Sequence, residues 1–278
     1  MTRIDSHGTP DHITESMIRS MAMGMEQGVS VASLAGDFRE SLSSIRRRFL
    51  RATGTTPGRF LACLRMQRSK ERLARTDESI TGICLSVGYD SLATFSRVFS
   101  RMVGLSPSRY RAVVRRIQGG TELGSLGGAR TRPVPARVPL ESGICISIRT
   151  PFSSPIFVAA FASEIPQGSP ICCLITSPGA QRALDVDRAA SAHISIAAAQ
   201  EIAASQAGPS DPESIGHLVG RARLPRERSR DVIEITMRPA TVLDPPVVFA
   251  FKEIAFSPDV EPSCDEGGQM KVSAAATS

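Results

Sequence analysis

"SLSSIRRRFLRATGTTPGRF" (residues 41–60) and "SLATFSRVFSRMVGLSPSRY" (residues 91–110) are two copies of one pattern, fifty residues apart. At that offset Ser41 meets Ser91, Leu42 meets Leu92, Arg47 meets Arg97, Phe49 meets Phe99, Gly54 meets Gly104 and Pro57 meets Pro107. Upstream, "SLAGDF" (33–38) and "GICLSV" (82–87) match with one residue of slip. Self-similarity at a fixed period signals one supersecondary unit built more than once. Each copy reads as a helix, a turn, a second helix, and a Gly-containing stop before Pro.

At ~100° per residue, Leu42, Ile45 and Phe49 fall on one arc of a helix. Leu92, Phe95 and Phe99 do the same, with Met102 alongside. That arc is expected to face the core. Arg47 and Arg97 point away from it, and Ser43 and Ala93 lie one turn earlier on nearly the same outer face. Ser41 and Ser91 are placed to cap the two helix N-termini. A short helix anchored on one side and offering Ser and Arg on the other can enter a major groove. Arg then donates to guanine O6 and N7 or to phosphate. Seen once, such a helix is equally a wet surface. Seen twice, with the outward arginine in one register, it argues for recognition. In the run Arg46-Arg47-Arg48, neighbours 100° apart face three ways. Arg47 is the expected reader, and Arg46 and Arg48 flank it where phosphates would lie. Arg51 and the bridging helix between the copies add to the same phosphate-neutralising charge.

With these residues in hand, the region resembles the AraC/XylS-type DNA-binding domain, in which two helix-turn-helix units are joined by a long helix. The second-unit signature of that family is met by "ICLSVGYDSLATFSRVFSRMVGLSPSRYR" (83–111), with Cys84 at the usual Ala. The first-unit signature is met by "LAGDFRES" (34–41) and "IRRRF" (45–49), and the bridging helix by "GRFLACLRMQRSKERLART" (58–76). The resemblance covers about residues 13–116. It implies helix-turn-helix units at about 31–50 and 80–102, a bridging helix at about 58–75, and recognition helices entering successive major grooves on one DNA face. The site would then be asymmetric. Carried over by position, it implies base contacts from Ser43, Arg46 and Arg47 in the first unit, and from Leu92, Ala93, Thr94 and Arg97 in the second. Leu92 conflicts with the helical wheel, which puts it on the core arc, so Ala93 and Thr94 are the preferred readers. Small and apolar residues there suggest weak direct readout, with a thymine methyl as one contact. Arg39 stands where the first turn of the family has Gly. If that position needs φ > 0, a non-Gly residue costs about 1 kcal/mol.

Charge distribution agrees with a polyanion partner. Residues 1–117 hold 19 Lys+Arg and 10 Asp+Glu, a net of +9, while the remainder holds 14 and 17, a net of −3. Of the 33 cationic residues only Lys70, Lys252 and Lys271 are lysines, which favours planar, bidentate donors. A helical stripe of Ile13, Met17, Ile18, Met21 and Met25 is expected to face the core. No apolar run approaches the ~20 residues of a membrane helix, so a cytoplasmic, bacterial protein without membrane contact is expected. The six cysteines show no CxxC spacing, so free thiols are expected, with no metal and no cofactor.

"GGTELGSLGGARTRPVPARVP" (119–139) reads as a linker, taken as 118–139. Beyond it the period becomes 2: Ile144, Ile146 and Ile148; Ile194 and Ile196; Ile233, Ile235 and Met237. Apolar runs at 156–162, 170–175 and 247–254 are bounded by Pro, Gly and Ser. The expected fold is therefore multidomain. A flexible N-terminus (1–12) leads into an all-α double helix-turn-helix of about seven helices (13–117). An all-β antiparallel sandwich follows (140–256), then a disordered tail (257–278). "DPES" near 211–214 could start a helix.

The C-terminal half offers little chemistry. Cys172-Cys173 invites an alkyl-acceptor reading, since DNA-repair methyltransferases can carry this DNA-binding domain, but the P-C-H-R motif of such acceptors is absent. Adjacent cysteines on a strand point to opposite faces. His193 and His217 lack ligand spacing. "RARLPRERSR" (221–230) reads as a solvated loop between strands. No catalytic residue is assigned. The expected function is a sequence-specific transcriptional regulator on double-stranded promoter DNA. RNA polymerase and a small-molecule effector at the C-terminal domain are further candidate partners. The alternative is a DNA repair or modifying enzyme with its chemistry in the C-terminal half.

Overall fold

The structure, a computed structural model, describes residues 11–118, 143–151, 156–161, 172–176, 179, 182–185, 195–201, 217–223, 232–246, 248, 263–264 and 270–271. The expected linker from 119 on, the helix start at 211–214, His193 and most of the tail lie outside these residues. The described residues divide into two compact units. One holds the helices together with 241–246 and 248, and the other holds the strands.

Seven helices are described: α1 His12–Met23, α2 Val31–Asp37, α3 Leu42–Thr53, α4 Pro57–Arg75, α5 Ile80–Ser86, α6 Leu92–Val103 and α7 Pro107–Gln118. Their ends follow from local chemistry. Asp11 caps α1 by accepting from the Thr14 N–H, so the expected flexible N-terminus is ordered at that point. Ser30 caps α2 in a capping box with Ser33, and Ser79 caps α5. Ser41 and Ser91 cap α3 and α6 by accepting from the Ser44 and Thr94 N–H groups, as their spacing predicts. Both helices stop at a left-handed glycine, Gly54 (φ 72°) and Gly104 (φ 90°), and proline opens the next helix each time.

The fifty-residue repeat holds in three dimensions. Phe49 meets Phe60 edge-on at 6.0 Å and 73°, and fifty residues later Phe99 meets Tyr110 at 5.8 Å and 71°. Ile45, Phe49, Phe95 and Phe99 are fully buried. Met17, Ile18, Met21 and Met25 form the core expected of α1, joined by Leu34, Phe60 and Leu61. Ile13 departs from that stripe and is 43% exposed. Leu243, from far along the chain, packs against the same core.

The turns between α2 and α3 and between α5 and α6 share their hydrogen bonds at an offset of 49. Phe38, Arg39 and Glu40 N–H donate to Leu34, Gly36 and Ala35. Val87, Gly88 and Tyr89 donate to Ile83, Leu85 and Cys84. The slip seen in the sequence is thus one extra residue, Asp90, at the end of the second turn.

In the other unit, β1 Gly143–Arg149 lies between β4 Arg182–Asp185 and β7 Ile233–Thr236. A second sheet runs β8 (Arg238–Pro239), β6 (His217–Arg223), β5 (Ser195–Glu201), β2 (Ile156–Phe161), β3 (Cys172–Thr176), β10 (Met270–Lys271), β9 (Ser263–Cys264). The expectation of a wholly antiparallel arrangement is corrected at one place: β1 and β7 pair in parallel. Such a pair needs a long crossover, and here the strands between β1 and β7 supply it. Val158, Ala159, Ala160 and Phe161 are all buried, as suits a strand between two neighbours with both faces covered. β9 and β10 fall within the stretch expected to be a disordered tail, and "RARLPRERSR" begins as strand at Arg221–Arg223 rather than as loop.

Candidate nucleic-acid interface

The outward faces of α3 and α6 carry the sequence-derived candidates. On α3, Ser43, Arg46, Arg47 and Arg51 are exposed; on α6, Ala93, Thr94 and Arg97 are exposed. Arg46, Arg47, Arg51 and Arg97 form no ion pair among the described residues. A guanidinium left in water with no carboxylate partner is available to phosphate or guanine.

Arg48 differs. Its Nη2 donates to Glu40 Oε1 at 2.8 Å and its Nη1 to Asp11 Oδ1 at 3.3 Å, and its side chain is 26% exposed. Glu40 also accepts from the Ser44 hydroxyl at 2.7 Å. Burial raises the Asp11 carboxyl, but hydrogen bonds from Thr14 and the Arg48 charge outweigh it and hold the group below its ordinary value. Glu40 is held down by the Ser44 hydroxyl, against burial, with Arg48 adding to the effect. Arg48 therefore ties α3 to the N-cap of α1.

Sequence reasoning missed one position and misjudged the exposure of two. Arg101 is exposed in the last turn of α6, where Arg51 stands in α3. The offset of fifty that paired Arg47 with Arg97 would have found it. Leu42 and Leu92 are the other case. Both belong to the helical arc expected to be buried, yet they are 55% and 42% exposed. The angle is right, but each is the first residue of its helix. Helical side chains lean toward the N-terminus, so these two overhang the end beyond the core that covers Ile45 and Phe95.

Two arginines of α4, Arg65 and Arg72, serve another purpose. Arg65 Nη2 donates to the Val29 carbonyl at 3.0 Å, before the first unit, and its guanidinium lies 5.3 Å from the Tyr89 ring centroid, in the turn of the second. Arg72 pairs with Glu26 at 3.2 Å and Glu78 at 2.8 Å, again one group from each side. The bridging helix thus clamps both units to itself. Arg59, Arg68 and Arg75 on the same helix are exposed, and Arg68 pairs with Glu71.

Residues 34–112 match a family model described as a helix-turn-helix domain. The chain is similar to the MmsAB operon regulatory protein of Pseudomonas aeruginosa, 40% identical over 73 residues, which are 26% of this chain and 24% of that protein. It is also similar to the transcriptional activator RhaS of Escherichia fergusonii, 31% identical over 105 residues, 36% of this chain and 38% of that protein. Among solved structures, the C-terminal domain of AraT, a response regulator from Geobacillus stearothermophilus, is 27% identical with a TM-score of 0.35, covering 36% of this chain and 84% of that one. The chain thus spans well under half the length of these two relatives.

Proposed function

We propose that this chain is a sequence-specific transcription regulator of the AraC/XylS type that reads two successive major grooves on one DNA face, with residues 34–112 as its helix-turn-helix domain. The observation that carries the reading is the pairing of Arg47 and Arg97. They occupy one register of the repeat, both are exposed, and neither has an ionic partner among the described residues. Ser43, Arg46, Ala93 and Thr94 share their helices' outer faces and complete the base-reading set. Arg51 and Arg101 neutralise phosphate. Arg48 contributes by holding α3 in place, since its guanidinium is engaged with Asp11 and Glu40.

Several observations bear on the rest of the chain. Gly220 on β6 faces β7: a Cβ there would lie 2.5 Å from Ile235 Cγ2 and 2.8 Å from Met237 Sδ. Ile146, Ile148, Val158, Ala198, Val219 and Ile235 are buried. Both facts support a two-sheet sandwich, and the role proposed for it is that of an effector or interaction domain. The relatives are named as regulators, which supports a non-enzymatic role. No described helix is long and apolar enough to cross a membrane, in keeping with a cytoplasmic DNA-binding protein. RNA polymerase and a small-molecule effector are the partners this reading invites.

The test uses duplexes enriched from a randomised pool by the full chain. Arg47→Ala and Arg97→Ala are each expected to cost about 1–3 kcal/mol of affinity for an enriched duplex and to relax its sequence preference. Unchanged binding at physiological salt in both variants would sink the assignment.

A further inference from the structure

The core of the first helix-turn-helix unit is completed by a residue that the repeat does not contain. Leu243 packs against a core that includes Met17, Met21, Leu34, Ile45, Phe49 and Phe60, which come from α1, α2, α3 and α4. Strand β8 ends at Pro239, and from Thr241 the chain belongs to the helical unit. In the same stretch Pro245 is buried and Val248 is fully buried.

Bringing a distant segment onto a core costs loop-closure entropy, and this segment is built to limit further loss. The Thr241 N–H and hydroxyl both donate to Asp244 Oδ2, at 2.8 and 2.9 Å, and the Asp244 N–H donates to the Thr241 carbonyl at 3.0 Å. Pro245 and Pro246 then fix φ directly behind the turn. Leu243 is thus presented on a closed turn with a stiff exit, and little freedom remains to be lost on docking.

The docked segment leaves the reading face open. Ser43, Arg46, Arg47 and Arg51 are exposed with Leu243 in place, so it does not mask them. It acts on them from behind. Ile45 and Phe49 stand two residues to either side of Arg47 and belong to the core that Leu243 packs against. How that core packs sets the rotation of α3, and base readout tolerates a displacement of only about 0.5 Å.

We propose that the Thr241–Pro246 segment is a strap of the first helix-turn-helix unit and that Leu243 is a positioning residue for Arg47. The strap closes the core behind α3 and holds the helix at its reading angle. Its release weakens one half-site of the operator and leaves the other as it was. This rests on the DNA-reading function proposed above.

The experiment uses the full chain and its variants Leu243→Ala, Leu243→Met and Asp244→Ala. Each is titrated against an enriched duplex and against duplexes that keep one half-site, assigned to α3 or α6 by sensitivity to Arg47→Ala or Arg97→Ala. Leu243→Ala is expected to lose about three- to tenfold in affinity at the α3 half-site, because fewer first units are in reading form. It should lose nothing at the α6 half-site. Asp244→Ala, which unlocks the turn and keeps the leucine, should lose in the same half-site, and Leu243→Met should restore most of the binding. Hydrogen exchange of the DNA-free chain should quicken in α2 and α3 of Leu243→Ala and stay unchanged in α6. Equal losses at both half-sites with faster exchange in all the helices would mean general destabilisation and overturn the proposal. Unchanged affinity at the α3 half-site overturns it as well. If no duplex is enriched, the regulator reading fails on its own, and unchanged exchange in α2 and α3 then overturns the strap separately.

Discussion

Arg39 and Gly88 occupy the same place in two copies of one turn. Their N–H groups make equivalent hydrogen bonds, to Gly36 and Leu85, and both backbones are left-handed, at φ 52° and 80°. Their surroundings differ. Arg39 is exposed, so its side chain meets only the backbone cost. A Cβ at Gly88 would lie 2.8 Å from the Met25 carbonyl oxygen and 2.9 Å from the Arg65 guanidinium.

Substitutions at these two places should therefore act in opposite directions. Arg39→Gly relieves the left-handed strain and stabilises the helical unit by up to about 1 kcal/mol, part of the relief being offset by the freer unfolded chain. Gly88→Ala adds that strain to a steric conflict and destabilises by about 2 kcal/mol or more. Urea unfolding followed by helical circular dichroism measures both. Equal effects at the two positions would contradict the equivalence of backbone and difference of surroundings described here.

Arg65 reaches from the bridging helix to Val29 on one side and Tyr89 on the other. Arg65→Ala should weaken binding to a complete operator more than binding to either half-site alone, because the mutual placement of the units is lost. Arg65→Lys keeps a cation near Tyr89 but lacks the planar fork, and should restore only part of the loss. Comparing affinities for complete and half operators checks this.

Asp11 and Glu40 are both held below their ordinary values in the folded chain. A depressed carboxyl stabilises the fold above its unfolded pKa, and that contribution disappears as pH falls through the lowered folded value. Stability of the helical unit should thus decline from the ordinary carboxylate range downward. Arg48→Met should flatten this dependence by removing the shared cation. The same variant should leave the salt slope of DNA binding nearly unchanged, whereas loss of a phosphate contact at Arg51 should lower it by about 1. Thermal melts against pH and binding titrations against salt separate the two roles.

Gly220 leaves no room for a Cβ beneath Ile235 and Met237. Gly220→Ala should destabilise the strand unit by about 1–3 kcal/mol through overpacking while the helical unit unfolds as before. Calorimetry of the full chain checks this as the shift of one transition and not the other.

Much of the helical fold is legible in the chain itself. Ser41 and Ser91 cap where their spacing says, Gly54 and Gly104 stop their helices, and Arg47 and Arg97 face outward. These features depend on neighbours within a few residues, so a helical wheel and a capping rule reach them. The strands at 144–148 and 233–236 were visible through their alternation for the same reason, but their parallel pairing was not. Pairing depends on the path of the chain between the strands, and alternation carries no direction.

The sequence alone determined that one helix-turn-helix pattern occurs twice, with an arginine aimed outward in each copy. Rotation about a helix axis follows from residue spacing and needs no partner. Only the tertiary structure decided what each outward or inward angle meets. It turned Arg48 to Asp11, 37 residues away, and set Arg65 between Val29 and Tyr89. It also left Leu42 and Leu92 uncovered. A wheel reports angle but not how far along the axis a neighbouring helix extends, and the core ends before the first residue of α3 and α6.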